Sequence, residues 1–352
     1  MKPLFAAFLA TASLFLIAAD QPTTGVDFAR LQASTPAPTL DAYRLFEGAG
    51  VGHPAPGVTP YVLNTPLFSD YAEKFRAVVL PPGKQATFTA TGVLDFPIGT
   101  TLIKTFAYPA DFRQPDRNVR LIETRLLIRK RSGWTPLTYV WNSDQTQAML
   151  KRAGVRVPVS FLDKAGQKVS FSYAVPNQNQ CKECHSLGRT LTPIGPKARN
   201  LNGDYAYAEG PENQIAHWTK VGILKGAPSP SAVPPTPRWD DPTQPLAARA
   251  RAYLDGNCAH CHNAKAAASN SGLVLTYEAT DPIAIGVGRR PVAAGRASGG
   301  LDYDIVPGKP DQSIMIHRME STDPGTMMPE LSRTLVDRDG VDLIRQYIAA
   351  MK

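Results

Sequence analysis

Several features are scarce in this chain of 352 residues. Past residue 20 there is no run of eighteen apolar residues, which argues against a membrane-spanning helix in that part of the sequence. Charged residues are few, at 19% of the total. The formal net charge is +8, but the basic residues are scattered (Lys182, Arg189, Lys197, Arg199, Lys220, Arg289, Arg290, Arg296). Without a basic run, a nucleic-acid surface is not indicated, and a surface that steers an acidic protein partner is the simpler expectation. No long-period internal repeat is visible. Cysteine is rarest of all, at 4 residues, and histidine numbers only 6.

Proline, at 32 residues, is abundant, so much of the chain should run in loops and connections. Residues 1–19 carry one early charge, Lys2, then an apolar run from Leu4 to Ala18 and small residues before Asp20. That pattern reads as a secretory signal peptide, so the chain is expected to be exported. No cysteine stands near the expected cleavage region, which argues against a lipid anchor.

Residues 20–59 read as a linker and short helix, with Thr39 as an N-cap before Leu40 to Phe46. From 60 to 177 the periodicity becomes two. Ile122, Thr124, Leu126 and Ile128 fall on one side and Glu123, Arg125 and Arg129 on the other, as in a half-buried strand. Arg131, Ser132 and Gly133 turn the chain into Leu137 to Trp141, and a hairpin is expected at 159–175 around Lys164 to Gly166. This region reads as an antiparallel β domain. A segment 178–225 with a helix near Glu212 to Leu224 follows, then a proline-rich linker 226–245. Residues 246–352 open on a helix at Leu246 to Asp255 and close on another, with Ile344, Tyr347, Ile348 and Met351 at helical spacing and Asp337 or Asp339 as cap. The expected fold class is therefore α+β and multidomain: an N-terminal β domain followed by mostly helical segments.

All four cysteines fall in two copies of one pattern: Cys181, Cys184 and His185, then Cys258, Cys261 and His262. Each copy is a c-type haem attachment signature, in which two thiols add to porphyrin vinyl groups and the adjacent imidazole coordinates iron. The rival readings fit less well. A zinc ribbon needs roughly 15–20 residues between its pairs, far fewer than separate Cys184 from Cys258. A redox dithiol leaves both trailing histidines unexplained, and disulfides closing such short loops contribute little. The expected cofactors are two covalently bound haem c groups.

His185 and His262 are the proximal ligands on this reading. For the second haem, Met328, next to Pro329, is the first choice as sixth ligand, ahead of Met319 and Met327; the bland alternative is that it fills core space. For the first haem, the segment from Asn177 to Gly226 holds no methionine. His217 is the candidate there, with Met149 and His53 remoter and an open position as the alternative. His260, inside the second motif, is expected to point outward.

Together with these motifs, Ile305 to Pro310, Met327 to Pro329 and the closing helix make the C-terminal region resemble a class I cytochrome c domain. Asn64 to Tyr71, Pro97 to Thr100, Trp141–Asn142 and Pro176 to Cys181 extend the resemblance across the chain after the signal, to a family of bacterial periplasmic diheme c-type cytochromes of unassigned physiological role. The resemblance implies electron transfer and two haems; the expected partner is a redox protein, a dehydrogenase or another cytochrome. The alternatives are a diheme peroxidase or oxidase with a five-coordinate first haem, or a redox subunit that docks to a dehydrogenase.

Overall fold

The computed structural model describes residues 25–48 and 50–352. The signal-peptide expectation for 1–19 lies outside these residues. At its centre is a six-stranded antiparallel sheet in the order β1 (Val58–Tyr61), β2 (Glu73–Val79), β4 (Thr101–Pro109), β5 (Val119–Lys130), β6 (Gly133–Trp141) and β7 (Ala148–Leu150). The short β3 (Ala86–Thr87) lies outside it. Strands β8 (Val155–Leu162) and β9 (Lys168–Val175) form the expected hairpin, turning through Lys164 to Gly166.

Both faces of the sheet are covered, by different parts of the chain. Ala77, Ile103, Leu126 and Leu137 stand opposite one another on successive strands. They bury against the N-terminal segment through Leu31, Leu40, Tyr43 and Leu45, which includes α1 (Phe28–Gln32). The opposite face carries Val78, Leu102 and Leu127, packed against Leu201, Ile215, Trp218 and Leu224 from the segment after the hairpin. Each fully buried aliphatic of this kind contributes about 1.5–3 kcal/mol. One end of the sheet closes on the hairpin through Phe106, Tyr108, Phe161 and Tyr173.

The expectation of mostly helical segments after the β domain is overturned: the described residues hold more strand than helix, 27% against 23%. Residues 178–225 contain α2 (Gln178–His185), α3 (Ala198–Leu201) and α4 (Gln214–Lys220), interleaved with the two-residue strands β10 (Ser186–Leu187) and β11 (Thr190–Leu191) and the hairpin β12 (Asp204–Tyr207) and β13 (Gly210–Asn213). Strand β14 (Leu224–Lys225) pairs in parallel with β3, so this segment shares its core with the sheet. In 246–352, α5 (Leu246–Asn257), α6 (Pro282–Ile285), α7 (Ile314–Glu320) and α8 (Arg338–Ala349) are joined by long irregular connections. Glycine is one reason: α6 stops after one turn because Gly286 takes φ 110°, a backbone conformation closed to most side chains. Helix α5 packs on α8 in a core of Ala250, Leu254, Ile305, Ile344 and Ile348.

The proline-rich stretch 226–245 is pinned rather than loose. Val233 and Thr236 are buried, the Asn64 amide donates to the Thr236 carbonyl at 3.0 Å, and the Thr65 hydroxyl donates to the Pro237 carbonyl at 2.8 Å. No helix among the described residues is long and apolar enough to cross a membrane.

Candidate functional site

Helix α2 begins on a capping box. The Asn177 side chain accepts from the N–H groups of Asn179 and Gln180, both at 2.9 Å, and the Gln180 side chain accepts from the Asn177 N–H at 3.0 Å. The helix carries Cys181, Cys184 and His185 in its last turns. The second motif lies just past α5, in a tight turn where the N–H groups of Cys261 and His262 both donate to the Cys258 carbonyl, at 3.1 and 2.9 Å. A helical turn thus holds the first motif, and a hydrogen-bonded turn beyond the helix holds the second.

The two motifs meet. Cys184, His260 and Cys261 bring their ligating atoms within 4.8 Å of one another. Downstream of each motif the chains are laced together by a bridge between Leu187 and Ala266 and by the Gly188 N–H donating to the Lys265 carbonyl at 2.7 Å. Lys197 binds the buried Asp255 carboxylate at 2.8 Å, tying the first segment to α5. All six motif residues line one cavity of about 1320 Å³, larger than the roughly 300–1,000 Å³ that holds one drug-sized ligand. Its walls combine apolar side chains, Leu102, Leu127, Leu273, Leu275 and Met315 among them, with charged ones that include Arg76, Lys104, Arg125 and Arg318.

Both imidazoles are held by one nitrogen. His185 Nδ1 lies 3.0 Å from the Thr192 carbonyl, which can only accept, so Nδ1 carries the proton. His262 Nδ1 lies 3.0 Å from Ser271 Oγ, whose own proton goes to the Ala268 carbonyl at 2.7 Å, so Oγ accepts there as well. In each ring the Nε2 lone pair is left free. Burial, opposed at His185 by the Thr192 bond and reinforced by Lys104 and Arg125, pushes His185 down to about 4; burial, helped by Arg318, does the same to His262. Neutral rings with a free Nε2, oriented by an outer hydrogen bond, are what a metal ligand requires.

All four thiols are free. Burial raises Cys181 and pushes Cys258 up to about 12. The proximity of the Cys184 and Cys261 thiols raises the first and lowers the second. Four unbridged thiols, two presented imidazole nitrogens and an apolar cavity of this volume fit two thioether-linked porphyrins. The trio Cys184, His260 and Cys261 also has the composition of a zinc site. That assignment takes one cysteine from each motif and leaves Cys181, Cys258, His185 and His262 without a role.

Met328 and Met319 line the cavity, while the buried Met327 is not on its wall. The Met328 N–H donates to the Arg318 carbonyl at 2.9 Å, and its own carbonyl accepts from Arg333 Nε at 3.1 Å, which fixes the backbone at this position. His217 is not brought to the cavity. Its Nδ1 is 2.8 Å from Glu212 and its ring stacks on Tyr207 at 3.5 Å, so the side chain is engaged elsewhere. Met149, on the edge strand β7, and the exposed His53 also lie away from it. His260 corrects the expectation of an outward side chain: it lines the cavity, and its buried Nδ1 has no protein partner.

Sequence reasoning missed two sets of residues. Arg76, Lys104 and Arg125 line the cavity from the sheet, although the alternating charges of β5 suggested a solvent face. Asn64 to Tyr71, noted above only as a mark of resemblance, is a clamp. The Asn200 side chain accepts from the Thr65 N–H at 2.7 Å and Asn257 from the Phe68 N–H at 2.7 Å. Asp70 accepts from the N–H groups of Thr334 and Leu335 at 2.6 and 2.7 Å, and the Tyr71 hydroxyl donates to the Val336 carbonyl at 2.8 Å. One strand-free peptide therefore grips the segments that bear both motifs. Comparison with family models, with curated proteins and with solved structures finds no match.

Proposed function

We propose that this chain is an exported, periplasmic diheme c-type cytochrome that carries electrons between protein partners, a dehydrogenase or another cytochrome among them. It would then belong with the bacterial diheme cytochromes that its motifs resemble. The observation that carries this reading is the convergence of two Cys-x-x-Cys-His peptides on one apolar cavity, each with its imidazole held at Nδ1 and free at Nε2. Iron porphyrin, when bound, supplies reversible one-electron chemistry tuned by its axial ligands and surroundings.

The residues of the chain do the rest. Cys181 and Cys184 anchor one group and Cys258 and Cys261 the other, while Thr192 and Ser271 orient the two imidazoles. Met328 is the thioether for the sixth position of the second site, with Met319 next. The apolar wall excludes water and favours the less charged, reduced form. With one anchoring sulfur of each pair within 4.8 Å of the other, the two groups are suited to pass electrons between them.

One observation favours a second reading, peroxide chemistry at the first haem: His217 is engaged by Glu212 and Tyr207 and supplies no sixth ligand. Peroxide turnover by the reduced protein separates the two readings.

The test is expression in a host with haem-attachment machinery. The denatured chain should retain two haems by mass and by its absorption spectrum. A colourless chain, or one that holds zinc at the Cys184 trio, would end the cytochrome reading.

A further inference from the structure

Arg76, Lys104 and Arg125 stand directly opposite one another on the adjacent strands β2, β4 and β5. Side chains so placed share one face of the sheet, and like charges opposite one another are unfavourable. All three line the cavity; Arg76 is only 9% exposed and the other two are half-buried. Their counter-charge is thin. Arg125 binds Glu123, with Nε to Oε2 at 2.9 Å, and Glu123 also accepts from the Tyr173 hydroxyl at 2.7 Å. Among the described residues, neither Arg76 nor Lys104 forms an ion pair. Arg76 donates only to the Lys74 carbonyl at 3.2 Å, and the Lys104 ammonium sits 4.7 Å from the centre of the Phe106 ring. Cations held out of water without partners are costly, so this row is built for an anion.

The row also has a direction. Arg125 is opposite Thr138, and that end of the row lies beside Cys181. Lys104 and Arg76 follow at successive strand spacings of about 4.8 Å, leading away from the thiol. On a porphyrin, the propionates leave from the side opposite the vinyl groups that take the thiols. Guanidinium and ammonium groups are the natural partners of such carboxylates.

We propose that Arg76, Lys104 and Arg125 form a carboxylate cradle for the propionates of the haem attached at Cys181 and Cys184, an assignment that rests on the diheme reading above. Positive charge at that edge stabilises the reduced group, so removing it lowers the reduction potential.

The test uses haem-loaded protein carrying Lys104→Gln, Arg76→Gln or both, with covalent haem counted and each potential titrated spectroscopically. The same substitutions in a Cys258→Ala, Cys261→Ala background leave only the first haem and identify which potential moves. Two haems per chain with a downward shift confined to the first haem, recovered in Lys104→Arg, is the expected result. Two haems with both potentials unmoved would overturn the cradle and leave the cytochrome reading intact. If citrate raises the melting temperature of the parent protein and the Gln variants lose that effect while both potentials stay put, the row takes a free carboxylate and the propionate assignment falls. A chain without covalent haem would overturn the reading beneath the proposal, and the proposal with it.

Discussion

The sulfurs of Cys184 and Cys261, which belong to different motifs, lie within 4.8 Å of each other. Each has a second cysteine in its own motif, so on the diheme reading the two peptides abut without sharing a pair. Cys258→Ala with Cys261→Ala should therefore halve the covalent haem per chain. Haem content by mass spectrometry of the denatured protein is the check; an unchanged value would remove the second site.

Met328 lines the cavity on a backbone held by Arg318 and Arg333. Met328→Ala should abolish the sulfur-to-iron band in the near-infrared spectrum of the oxidised protein and lower one potential. Persistence of the band in Met328→Ala, with loss in Met319→Ala, would move the ligand to Met319.

His217 is engaged by Glu212 and Tyr207, away from the cavity. His217→Gln should keep two haems and both potentials, and cost about 0.5–1.5 kcal/mol of stability through the lost hydrogen bond. A changed potential or spin state would bring His217 back as a ligand.

Asp70, at 2% exposure, accepts two N–H groups from the C-terminal part of the chain. Asp70→Ala strands both donors and should destabilise the protein by about 1–3 kcal/mol in urea unfolding. Should the midpoint stay where it is, the clamp contributes nothing to stability.

Lys74 is pushed down to about 7, by burial first and by Arg76 second, with Glu73 and Asp337 opposing. A lysine whose folded value lies below its unfolded one binds fewer protons when folded. Its penalty is fully present below about pH 7 and fades as pH rises toward the unfolded value near 10.5. The parent protein should thus gain stability between pH 7 and 10 relative to Lys74→Met. Parallel stability curves for the two proteins would show that Lys74 carries no such penalty.

The two motifs were legible because their spelling is local: Cys181, Cys184 and His185 and their second copy can be read without a fold, and both copies line one cavity. The alternation of Ile122 to Ile128 gave strand β5 for the same reason, a short period repeated locally. What stayed hidden depends on which surface covers which. Glu123 and Arg125 looked like a wet face because alternation reports a difference between two sides and not what lies against the second. The helical expectation failed where Gly286 stops α6 after one turn and the chain runs around the cavity in turns. The clamp from Asn64 to Tyr71 makes side-chain-to-backbone bonds to distant segments, and no local pattern announces those.

That clamp bears on modularity. A chain with two attachment motifs invites description as two portable cytochromes in tandem, either of which might be excised or grafted. Here Phe68 engages Asn257 at the threshold of one motif, while Thr65 engages Asn200 downstream of the other. Cutting anywhere between residues 64 and 257 severs a covalent path that this peptide also bridges non-covalently. Rearrangements that shuffle one half without the other would leave unsatisfied donors on both pieces, so neither half is expected to keep its fold when parted from the other.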